Sequence, residues 1–125
     1  MITFKSPANP KSIWKLCFKN SKEMNDIFYE DAEPEEGQTL FGLTDYIALK
    51  VYINEDLDGF LLKKTIRHEL MHIYLWENEK NNSLYNDDEI CEIVCIAAPL
   101  ICNKTDEIIS KIKKERRRKY EKLTK

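Results

Sequence analysis

A chain of 125 residues with 42% hydrophobic and 34% charged side chains is one globular domain's worth, which excludes a disordered polymer and a two-domain enzyme. No apolar run approaches the roughly 20 residues that span a bilayer, and Met1-Ile2-Thr3-Phe4-Lys5-Ser6-Pro7 lacks the apolar core of a signal peptide. The expectation is a cytoplasmic protein with no membrane partner. The net charge of −2 conceals an asymmetry: residues 111–125 carry a balance of +7 and the other 110 residues a balance of −9. Such a basic end suits the negative pole of a helix and can also contact nucleic acid or an acidic partner.

In chain order, Ile2–Lys5 and Ile13–Lys19 read as short strands, separated by Pro7 and Pro10. Residues 24–29 fit a strand or a helical turn equally, and 30–37 form an acidic loop. Residues 40–43 and 46–54 alternate as strands do, with Ile47, Leu49, Val51 and Ile53 on one face. Asp56 or Asp58 can cap a helix over 59–76, whose wide apolar face includes Phe60, Leu62, Ile66, Leu70, Ile73 and Tyr74. After a polar loop at 78–86, a second helix starts near Asp87 with the inward stripe Ile90, Ile93, Val94, Ala97 and Ile101. Pro99 is expected to kink or end it. Thr105-Asp106-Glu107 then reads as the cap of a third helix that runs into the basic end. The expected single domain, 1–125, is thus α+β, with a strand-rich part over 1–55 and a helical part over 56–125.

Four cysteines, Cys17, Cys91, Cys95 and Cys102, show no C-x-x-C spacing, so they read as reduced, buried thiols rather than as zinc ligands or a disulfide framework.

The chemistry concentrates in His68-Glu69-Leu70-Met71-His72, which holds both histidines of the chain. Positions i and i+4 share a helix face, so both imidazoles can reach one zinc ion. Glu69 is rotated about 100° from His68 and lies beside that ion, where it can take a proton from water during hydrolysis of a carbonyl compound. A catalytic zinc needs a third protein ligand and an open position. The spacing that would supply a third histidine has Leu75 and Asn78 instead, so a carboxylate is expected from Asp87-Asp88-Glu89-Ile90-Cys91-Glu92. Asp87 is the first choice on the inward stripe and Glu89 the second.

These residues resemble a family. Thr65-Ile66-Arg67-His68-Glu69-Leu70-Met71-His72, followed about fifteen residues later by an acidic helix start, is similar to the ImmA/IrrE-type zincin metallopeptidases and their small prophage-encoded relatives. Gly42-Leu43-Thr44-Asp45-Tyr46, leading into Val51-Tyr52-Ile53-Asn54, is also similar to those relatives. The resemblance implies a zincin-like fold and zinc-dependent cleavage of an intracellular, regulatory protein or peptide. It further implies a Glu ligand opening an E-x-x-x-D/N pattern, which maps here onto Asp87 and Cys91. An edge strand above the metal would pair with substrate, for which 46–54 is the candidate. Tyr46, Tyr52 and Tyr74 are candidates for stabilising an oxyanion, beside their ordinary reading as half-buried tyrosines. The rival to the enzyme is a zincin-derived, non-catalytic metal-binding module that binds a regulator or nucleic acid.

Overall fold

The computed structural model describes residues 1–28, 40–79 and 85–124. It is an α+β domain in the order β1 (Ile2–Lys5), β2 (Ile13–Lys19), α1 (Ser21–Phe28), β3 (Gly42–Asp45), β4 (Lys50–Asn54), α2 (Gly59–Glu77) and α3 (Asp87–Thr124). The four strands form one mixed sheet in the order β1-β2-β4-β3. β1 and β3 run antiparallel to their neighbours, and β2 pairs parallel with β4. The acidic segment expected as a loop at 30–37 lies outside the described residues.

Register gathers the apolar residues on one face. Ile2 pairs with Leu16, Phe4 with Trp14, Leu16 with Val51 and Phe18 with Ile53. Because side chains alternate across a strand, these residues all face the same way, and α2 covers them with Leu62, Ile66, Leu70 and Ile73. The opposite face carries Thr3, Lys15 and Tyr52. Trp14 is fully buried, and its indole N–H donates to Ser12 Oγ at 3.1 Å and Glu77 Oε1 at 3.0 Å. Its ring meets Trp76 edge-on at 6.0 Å, so one residue ties β2 to the end of α2.

The structure departs from the sequence expectations at several elements. Residues 24–29, left open between strand and helix, fall largely in α1, where Met24 is buried and Asn20 and Glu23 cap each other. The strand expected over 46–54 begins only at Lys50, because 46–49 form a turn in which Leu49 adopts φ +54°. Ile47 consequently stands 97% exposed instead of sharing the face of Val51 and Ile53. Asp58 occupies the N-cap position of α2 without a side-chain cap bond, and Gly59 follows with φ +51°, a conformation that favours glycine.

The two helices expected after residue 86 are a single helix of 38 residues, about 57 Å long at 1.5 Å per residue. Pro99 does not end it; the proline is exposed, so water can satisfy the backbone carbonyl that loses its helical partner there. Thr105 is no cap. It is fully buried mid-helix and donates from Oγ1 to the Ile101 carbonyl at 2.7 Å. The inward stripe is Ile93, Ala97, Ile101, Thr105, Ile108 and Ile112, whereas Ile90 and Val94 are 46% and 50% exposed. The four thiols are free; Cys91 and Cys95 are exposed, and Cys17 and Cys102 are only partly covered. No described helix is long and apolar enough to cross a membrane.

Candidate metal centre

α2 owes its position over the sheet to its apolar stripe, and that stripe dictates where the polar residues of the motif go. With Leu62, Ile66, Leu70 and Ile73 facing the sheet, Thr65 and Glu69 fall on the border toward β3, and His68 and His72 on the open side. Glu69 is therefore buried, at 5% exposure, while both imidazoles are exposed. The two Nε2 atoms lie 3.1 Å apart, with the rings inclined at 74°.

That separation can be compared with what a shared ion requires. Two nitrogens bound to one tetrahedral zinc stand about 3.4 Å apart, given Zn–N bonds of about 2.0–2.1 Å. The imidazole pair fits such an ion with a small adjustment. Without an ion the same contact is an N–H···N hydrogen bond, one ring donating and the other accepting.

Glu69 is held by the edge strand. Thr44 Oγ1 donates to Glu69 Oε2 at 2.5 Å, a short bond of the charge-assisted kind. Gly42, two residues earlier on the same face of β3, lies directly against the carboxylate. A Cβ at Gly42 would come within 2.9 Å of Glu69 Oε1 and 2.9 Å of Thr65 Cγ2. Gly42→Ala is therefore expected to destabilise the fold by about 1–3 kcal/mol, since the Glu69 carboxylate held by Thr44 and the Thr65 methyl must both be displaced. A lowered denaturation midpoint at unchanged slope would report this; native stability in the variant would contradict the close approach.

The edge strand on this side is β3, not the 46–54 segment, because β4 is enclosed between β2 and β3. The Asn54 amide N–H donates to the Phe41 carbonyl at 2.9 Å, which sets the alternation of the ladder. Counting from that pair, the backbone N–H and C=O of Gly42 and Thr44 face away from β4, toward the open edge. Asn54, buried, also donates from Nδ2 to the Leu40 carbonyl and to Ser21 Oγ, both at 3.1 Å, and so fixes the entry to β3. Beside Glu69 a cavity of about 250 Å³ is lined by Phe41, Gly42, Leu61, Lys64, Thr65 and His68.

Of the three tyrosines considered, only Tyr46 is tied electrostatically to Glu69. Burial first, and then the negative charge of Glu69, raise its pKa above the ordinary tyrosine value, so it remains a neutral donor. Its ring packs on Trp76 at 5.3 Å. Tyr52 is on the opposite face of the sheet, and Tyr74 packs against the core.

Asp87 and Glu89 are both exposed in the first turn of α3. Asn86 caps α3, its Oδ1 accepting from the Glu89 backbone N–H and its Nδ2 donating to Glu89 Oε1, both at 2.8 Å. Among the described residues, no three His, Cys, Asp or Glu side chains are gathered as a metal group, so neither carboxylate joins the histidine pair. Against the buried stripe from Ile93 to Ile112, Asp87 lies about 50° from the centre and Glu89 about 105° to the other side, so Asp87 stays nearer the inward phase.

Gly42 and Thr44 were not among the sequence candidates. A glycine inside a strand pattern marks close approach of another group, and that was their available signal. No protein-family model matches this chain, and no curated protein or solved structure matches it.

Proposed function

We propose that the chain is a zinc-dependent peptidase in which His68 and His72 hold the ion and Glu69 is the general base. The observation that carries this reading is the division of labour along α2: two exposed imidazoles converge at 3.1 Å, and the adjacent carboxylate is buried and oriented by Thr44. A structural metal site has no need of such a carboxylate. Zinc bound there would supply Lewis acidity, which acidifies water and polarises a carbonyl group.

The remaining work falls to side chains and backbone. Glu69 accepts the proton of the attacking water, and Thr44 keeps its carboxylate in position. The outward backbone groups of Gly42 and Thr44 pair with an extended peptide, which explains why such a substrate suits the site. The cavity beside Glu69 receives a side chain against Phe41 and Leu61, with Lys64 at its wall. Tyr46, its ring packed on Trp76, is the candidate among the tyrosines for a hydrogen bond to developing negative charge. The third ligand comes from the first turn of α3. Asp87, nearer the phase of the buried stripe, is the first candidate and Glu89 the second. A zincin-like fold of the ImmA/IrrE type is part of the same proposal.

A peptide library of mixed sequence, read by mass spectrometry, tests the reading. The purified chain is expected to produce new peptide termini, to stop doing so under a chelator, and to resume with about one equivalent of zinc. Cleavage that persists in chelator, or zinc-loaded protein that cleaves nothing, would reject the peptidase and favour the non-catalytic binding module.

A further inference from the structure

The last turns of α3 carry a charged surface that the proposed peptidase does not use. Lys113, Lys114, Arg117, Arg118 and Lys122 are all exposed, and among the described residues none of them forms an ion pair. At about 100° per residue the first four cover an arc of about 140°, and Lys122 extends it to about 180°, with the acidic Glu121 inside it. The buried residues Thr105, Ile108 and Ile112 lie opposite that arc. The helix is fastened to the body along its inner side and along the flank next to Arg118. Lys111 Nζ donates to the Thr3 carbonyl at 2.9 Å, the N-terminal ammonium meets Glu115 at 3.3 Å, and Arg116 lies over the Phe18 ring at 5.3 Å.

From this placement we infer that the outer face of α3 at Lys113, Lys114, Arg117, Arg118 and Lys122 binds the phosphate backbone of duplex DNA. The inference does not depend on the peptidase reading. An α-helix with its side chains is about 10–12 Å across, which matches the roughly 12 Å width of the B-form major groove. That groove admits an α-helix, whereas the major groove of duplex RNA is too deep and narrow for one. A membrane surface fits less well. An interfacial helix must bury an apolar face, but the inner side of α3 is already packed on the body as far as Ile112. Only Tyr120 and Leu123 are exposed large hydrophobics beyond it. The body, with its balance of −9, is repelled by phosphate, so the molecule must approach by this helix alone.

The probe is a fluorescently labelled 24-base-pair duplex DNA, titrated with the full chain between 50 and 200 mM salt and read by anisotropy. Five phosphate contacts give a slope of log K against log salt near −4.5, a loss of about 500-fold across that range. In the triple variant Lys114→Gln, Arg117→Gln, Arg118→Gln, the slope is expected to fall to about −2 and the salt-induced loss to about 12-fold. A control carrying Lys11→Gln, Lys15→Gln and Lys22→Gln makes the same change in net charge and is expected to bind as the parent does. Circular dichroism of both variants verifies the fold. Absence of binding at 50 mM salt, equal weakening in the control, or an unchanged triple variant would each overturn the inference. So would tighter binding to duplex RNA or to phosphatidylserine vesicles than to the DNA.

Discussion

Replacing Glu69 with Gln is expected to lower peptide cleavage by a factor on the order of 10²–10⁴ while zinc content and fold stay native. The expectation follows from what the carboxylate does and does not touch. Glu69 is buried on the side of α2 that faces β3, and the two imidazoles converge on the open side. The amide has the same length, and its oxygen can still accept the bond from Thr44 Oγ1, so the packing against Gly42 is preserved. What disappears is the ability to accept a proton. A variant that loses zinc would show that Glu69 is a ligand. A variant that cleaves at the native rate would remove it from the chemistry altogether.

Where local signals and packing agreed, the sequence reading and the structure coincide. The apolar period of α2 placed Leu62, Ile66, Leu70 and Ile73 in the core, although Phe60, expected on the same face, is 76% exposed; the i,i+4 spacing placed both histidines on one side. β1 and β2 were legible for the same reason, since Ile2, Phe4, Trp14 and Leu16 alternate cleanly and all are buried. The failures arose where a local pattern continued past the element it belonged to. Tyr46-Ile47-Ala48-Leu49 has strand composition and no Gly, Pro or Asn to announce a turn, yet Leu49 turns the chain at positive φ. Pro99 and Thr105-Asp106-Glu107 are genuine helix-end signals, overridden because Ile101, Thr105 and Ile108 are buried in one continuous contact.

Strand order was not legible at all. The parallel pairing of β2 with β4 joins residues far apart in the chain, and no periodicity records it. Yet that pairing makes β3 the edge and brings Gly42 and Thr44 onto Glu69. The acidic start of α3 could be seen, and so could the phase that Ile93, Ala97 and Ile101 define, but not that Ile90 and Val94 would be exposed beside it.

The central claim is that His68 and His72 hold a metal ion together, and its largest consequence is all-or-none occupancy. Removing one imidazole from the pair leaves a single exposed nitrogen donor, which does not retain zinc through purification at neutral pH. Loss of the α3 carboxylate is expected to weaken binding less completely, and more in Asp87→Ala than in Glu89→Ala. The decisive measurement is elemental analysis of zinc in chain purified without added metal, compared with His68→Ala and His72→Ala. The account predicts about one zinc per chain in the parent and almost none in either variant, with circular dichroism showing helices retained. Metal-free parent protein that takes up no zinc on titration, or a histidine variant with the parent's zinc content, would contradict it.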